Sequence, residues 1–131
     1  MNSSHPAITA FEAQGRGGMR IAVSLEGEPW VVLDAETVVR LGLKKGQCLD
    51  VAAQEEILAL DEAILARKAA AGYNARRPRT PLEIRRYLAG RKFSPAAVEK
   101  ALAWLTESGT VDEENAARHH VRQRRGRNPL G

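Results

Sequence analysis

Cysteine occurs once in these 131 residues, Trp, Tyr and Phe twice each, and no long apolar run occurs at all. With Cys48 alone, no intramolecular disulfide can form, which fits a reducing compartment. No apolar stretch reaches the roughly 18 residues that a membrane-spanning helix requires. Met1 to His5 lacks the charged and apolar regions of a secretory signal. A soluble, cytoplasmic protein is the expectation. Scarce aromatics also argue against a base-stacking surface. Trp104 and Tyr87 could stack on unpaired bases, but Trp104 stands between Leu102 and Leu105 at helical spacing, which favours packing between helices.

The chain is equally short of catalytic patterns. Gly15-Arg16-Gly17-Gly18 lacks the Gly-Lys-Ser/Thr ending of a phosphate loop and is not followed by a helix, so it reads as a hairpin turn. His119 and His120 are adjacent, and on a helix neighbouring side chains point about 100° apart, so the pair cannot chelate one metal. No Ser, Cys or Asp stands in a nucleophile context. Neither an enzyme nor a cofactor nor a metal is expected. A further shortage is of acids in the second half. Residues 1–62 carry five Lys and Arg against ten Asp and Glu, whereas residues 63–131 carry fifteen against six. An acidic half joined to a basic half predicts nucleic acid or an acidic protein surface as the partner of the second.

What is present suggests an α+β chain. Residues 1–6 read as a disordered tail. Residues 7–53 read as a β-rich leader, a small antiparallel meander. Ile21, Val23 and Leu25 lie on one face of its second strand, and Trp30 to Leu33 form the third. Asp34 caps a short helix from Ala35 to Leu41, ended by Gly42. Residues 54–78 read as a connecting helix, from Gln54 to about Ala71, followed by the basic link Arg76-Arg77-Pro78-Arg79. Residues 79–126 announce three amphipathic helices. Thr80, Pro81 and Glu83 make a capping box at the start of the first, and Gly90 stops it. Ser94-Pro95 opens the second, whose Val98, Ala101, Leu102 and Leu105 form a core-facing stripe ended by Gly109. Asp112 caps a third, with Glu113 and Glu114 in its first turn and Arg118, Arg122, Arg124 and Arg125 towards its end.

The ordered segments Arg79-Thr80-Pro81-Leu82-Glu83-Ile84, Gly90-Arg91-Lys92-Phe93, Val98 to Leu105 and Gly109-Thr110-Val111-Asp112-Glu113-Glu114 resemble RecX, the bacterial regulator of the RecA recombinase. Upstream, Val38 to Gln47 is similar to the β-rich leader of many RecX proteins. The likeness covers roughly residues 7–131. It implies helical repeats that lodge in the groove of a RecA filament on single-stranded DNA. Such proteins restrain the recombinase in DNA repair and the SOS response without chemistry of their own. It also implies that this chain completes only the first repeat, with residues 127–131 leading into a second, and Ala116 departs from the family's usual aromatic.

The candidate contacts with filament or nucleic acid are Arg76, Arg77, Arg79, Arg85, Arg86, Arg91, Lys92, Arg122, Arg124 and Arg125, which could neutralise phosphates or meet acidic patches. Two other readings fit these residues. One is a general basic DNA-binding module, helix-turn-helix-like or of the swapped-hairpin transcription-factor type. The other is an inactive remnant whose missing repeats leave apolar surface uncovered.

Overall fold

A computed structural model describes residues 5–111 of the chain. Three strands, β1 (Ile8–Gln14), β2 (Arg20–Leu25) and β3 (Glu28–Asp34), form an antiparallel sheet in the order β1-β2-β3. Four helices follow: α1 (Ala35–Leu41), α2 (Val51–Arg76), α3 (Pro81–Gly90) and α4 (Pro95–Glu107). The expected α+β architecture, a β meander followed by helices, is present. The chain divides into two compact units, Met1–Ile64 and Leu65–Gly131, with the division inside α2.

In the first unit the alternation of β2 sets the register. Phe11, Val23 and Val31 lie opposite one another across the sheet, as do Ala13, Ile21 and Leu33. Val23 and Leu33 are buried with Ile8, Leu25, Leu43, Leu49 and Ile57 in one apolar cluster. The glycine-rich segment is a turn between β1 and β2, with Gly15, Gly17 and Gly18 all at positive φ. β2 and β3 are joined by two residues, Glu26 and Gly27, at φ 51° and 81°, a turn whose twist suits an antiparallel pair. Glu26 tolerates that backbone because it is held at both ends. Its carboxylate accepts from the Ala7 N–H at 2.8 Å, and its own N–H donates to the Ala7 carbonyl at 3.0 Å.

Asp34 caps α1 by accepting from the Glu36 N–H at 2.8 Å, and Gly42 closes it in the left-handed conformation. Behind that cap lies a buried polar group that the sequence did not announce. Asp61 of α2 accepts from the Asp34 N–H at 2.8 Å and from the Thr37 hydroxyl at 2.6 Å. All three residues are buried, so the carboxylate replaces the water those donors lost on folding.

α2 is longer at both ends than the expected Gln54–Ala71. Asp50 starts it early, its side chain accepting from the Ala53 N–H at 2.7 Å. Gly72 lies within the helix instead of loosening it. Asn74 anchors the end: its side chain accepts from the Arg79 N–H at 2.9 Å and donates to the Thr110 carbonyl at 3.3 Å.

In the second unit, both arms of the Thr80–Glu83 capping box are formed. Ser94 caps α4 by accepting from the Ala97 N–H. Ile84 and Leu88 of α3 and Val98, Ala101, Leu102 and Leu105 of α4 are buried, as the stripe requires. Gly90 differs from expectation, being the last residue of α3 rather than its stop. The left-handed turn falls instead on Lys92, at φ 72°, where the Phe93 N–H reaches back to the Leu88 carbonyl at 3.2 Å. Gly109, at φ 81°, does end α4. The third expected helix, from Asp112, lies outside the described residues, as do residues 1–4 and 127–131.

Candidate partner-binding surface

Between residues 65 and 111 the sequence holds ten Lys and Arg but only three acids, Glu83, Glu99 and Glu107. Two of the three are engaged close to home. Glu83 accepts from the Thr80 N–H in the capping box. Glu99 receives a two-pronged contact from Arg85, Nε donating to Oε2 at 2.8 Å and Nη2 to Oε1 at 3.2 Å. The hydrogen bond from Arg85, reinforced by its charge, outweighs slight desolvation and holds the Glu99 carboxyl below its usual range. Arg85 thereby joins α3 to α4 beside an open groove of about 350 Å³ lined by Leu102, Ala103, Thr106 and Glu107.

The sequence-predicted cations fall into two groups. Arg79 and Arg85 are committed within the unit. The Arg79 guanidinium lies 3.8 Å from the centre of the Tyr73 ring, and its Nε donates to the Tyr73 carbonyl at 3.3 Å. Tyr73 in turn stacks on Tyr87, ring centres 4.0 Å apart and 2° from parallel. Arg91 stands 5.5 Å from the Tyr87 ring. The resulting column, Arg79–Tyr73–Tyr87–Arg91, ties the end of α2 to α3. Its two tyrosines are 14 positions apart across a link, so no helical or strand period could pair them in advance. By contrast, Arg76, Arg77, Arg86 and Lys92 are exposed, and among the described residues their side chains make no ion pair or hydrogen bond. They sit at the end of α2, in the link after it, on the outer side of α3 and in the turn after α3. Arg122, Arg124 and Arg125 lie outside the described residues.

Two further observations bear on the expected roles. The exposed side of α4 carries Pro95, Ala96, Ala103 and Thr106 beside Glu99, Lys100 and Glu107, and two of its three long polar side chains are acids, which suit a phosphate-lined groove poorly. Trp104, expected to pack between helices, is only half-buried, and cations stand near its ring. Among the described residues, no helix is long and apolar enough to cross a membrane.

A β leader followed by a cation-rich helical module defines the class. Residues 66–105 match the model of the RecX first three-helix domain, a span that takes in the second part of α2 together with α3 and α4. The chain is 28% identical over 126 residues to the regulatory protein RecX of Clostridium perfringens (strain 13 / Type A), covering 94% of this chain and 59% of that protein. It is 30% identical over 112 residues to the regulatory protein RecX of Staphylococcus saprophyticus, covering 86% of this chain and 41% of that protein. A crystal structure of regulatory protein RecX shares the fold with a TM-score of 0.75 at 24% identity, over 90% of this chain and 58% of that one. The chain thus spans about half the length of the curated relatives it matches.

Proposed function

We propose that this chain is a cytoplasmic regulatory protein of the RecX type. In this reading it binds the RecA filament on single-stranded DNA and restrains the recombinase in DNA repair and the SOS response. It does so by binding, with no reaction and no cofactor of its own. The observation that carries the reading is the set of exposed cations, Arg76, Arg77, Arg86 and Lys92, on a module whose few acids are largely engaged. Such a surface suits phosphates or the acidic patches of a nucleoprotein filament. Arg91 is exposed as well, Arg122, Arg124 and Arg125 add to the positive charge of this half of the sequence, and Arg79 and Arg85 hold the helices of the described module.

The test is RecA ATP hydrolysis on single-stranded DNA, titrated with this chain at two salt concentrations. Inhibition that weakens as salt rises is expected. Replacing Arg76, Arg77, Arg86, Arg91 and Lys92 together with Ala should abolish most of it. Full-rate hydrolysis in the presence of a chain that is folded by circular dichroism would rule the reading out.

A further inference from the structure

The column Arg79–Tyr73–Tyr87–Arg91 is built from ring faces. Tyr73 and Tyr87 stack at 4.0 Å. The guanidiniums of Arg79 and Arg91 stand 3.8 Å from the Tyr73 ring centre and 5.5 Å from that of Tyr87. Phenylalanine would serve each of these contacts, because stacking and cation–π attraction act on the ring. The two phenol hydroxyls are therefore not needed to tie α2 to α3. Among the described residues neither hydroxyl has a hydrogen-bond partner, and neither is sealed from solvent. We infer that Tyr73 and Tyr87 are phosphate-contacting residues, their hydroxyls donating to phosphodiester oxygens of a nucleic acid backbone beside Arg76 and Arg91.

The ligand class follows from the donors gathered there. Arg76 comes three positions after Tyr73 at the end of α2, and Arg91 four positions after Tyr87 at the end of α3. At that spacing each tyrosine has a cation as its neighbour along the helix, and both cations are exposed. Between residues 65 and 98 the one acid is Glu83, and the capping box takes it up. Hydroxyl and guanidinium donors with no acid to spare call for an anion that accepts hydrogen bonds. Phosphate oxygens accept from tyrosine as well as from arginine, and such contacts carry no sequence preference. A strand repeats its phosphates, so it can meet both tyrosines and both cations in one pass. A protein surface would need acids placed to match. The subsite rests on reading the exposed cations as phosphate contacts, and it adds two neutral donors whose loss changes no charge.

Fluorescence anisotropy of a labelled short oligothymidylate, titrated with the full chain at several salt concentrations, tests the subsite. Replacing both tyrosines, Tyr73→Phe with Tyr87→Phe, keeps the rings and the charge and removes only the hydroxyls. Affinity should fall about tenfold, the scale of a lost hydrogen bond to a charged group, with the salt dependence unchanged. Arg91→Gln should weaken binding too, but with a flatter salt dependence, since one phosphate contact accounts for a slope of about 0.7. Circular dichroism checks that each variant is folded. Should the double variant fail that check, the two single Phe variants replace it, each expected to lose part of the affinity. Unchanged affinity in the Phe variants would overturn the inference, and so would a parent chain that binds no strand. Recombinase inhibition that persists in either of those cases would sink this subsite and leave the regulatory reading standing. Strand affinity that falls in the Phe variants, with a recombinase indifferent to the parent chain, would do the reverse.

Discussion

At the scale of single residues, Asp61 shows how much one buried carboxylate can hold. It satisfies the Thr37 hydroxyl and the N–H of Asp34, the residue that caps α1. Removing it strands two buried donors, and hydrogen bonds to charged groups are each worth about 1.5–3 kcal/mol. Asp61→Ala should therefore lower stability by roughly 3 kcal/mol in guanidinium unfolding, with Asp61→Asn milder because its amide oxygen can still accept. Glu99 is a gentler case, since its side chain is 57% exposed and that of Arg85 41%, and solvent screens the contact. The folded-state pKa of Glu99 is lowered by Arg85. Its contribution is thus fully present above the ordinary carboxylate range and is lost as pH falls through the depressed value. An NMR titration should place Glu99 below an unpaired glutamate, and Arg85→Gln should return it to the usual range.

At the scale of elements, glycine and lysine occupy each other's best places. Gly72 lies inside α2 with open space where a Cβ would point, and glycine in a helix interior costs about 1 kcal/mol relative to alanine. Gly72→Ala should raise the unfolding free energy by about that amount. Lys92 sits left-handed after α3, a conformation that costs an L-residue about 1–2 kcal/mol. Lys92→Gly relieves that cost and loses part of the gain to chain entropy, so thermal unfolding should show a net gain of about 1 kcal/mol or less. Both ends of α1 and α4 and the start of α3 were readable because each carries its own punctuation. Asp34 with Gly42, Thr80 with Glu83, and Ser94 with Gly109 act within a few residues of the ends they define. The far end of α2 was not, because Asn74, beyond Ala71, is tied by a tertiary hydrogen bond to the Thr110 carbonyl, 36 residues on; its start was missed although Asp50 caps it locally.

At the scale of the whole molecule, the proposed partner rests on the imbalance of charge. Binding through phosphates releases counterions, so affinity falls linearly in log salt, with a slope of about 0.7 per phosphate contacted on a single strand. Neutralising Arg76, Arg77, Arg86, Arg91 and Lys92 together should flatten the salt dependence of recombinase inhibition. Gly72→Ala, which leaves the charge untouched, should not change it.

The sequence alone determined the order of elements, the faces of strands and helices, and the split between an acidic half and a basic half. Those features are set by periodicity, by caps and by composition, all of them local. Only the tertiary structure decided which cations are committed and which are exposed. Arg79 and Arg85 look like their neighbours in the sequence, yet Tyr73 and Glu99 occupy them. It also set the partly buried Trp104 beside Arg67 from another helix. Such pairings depend on which helix faces cross, and residues 37 positions apart leave no mark of their meeting in a local pattern.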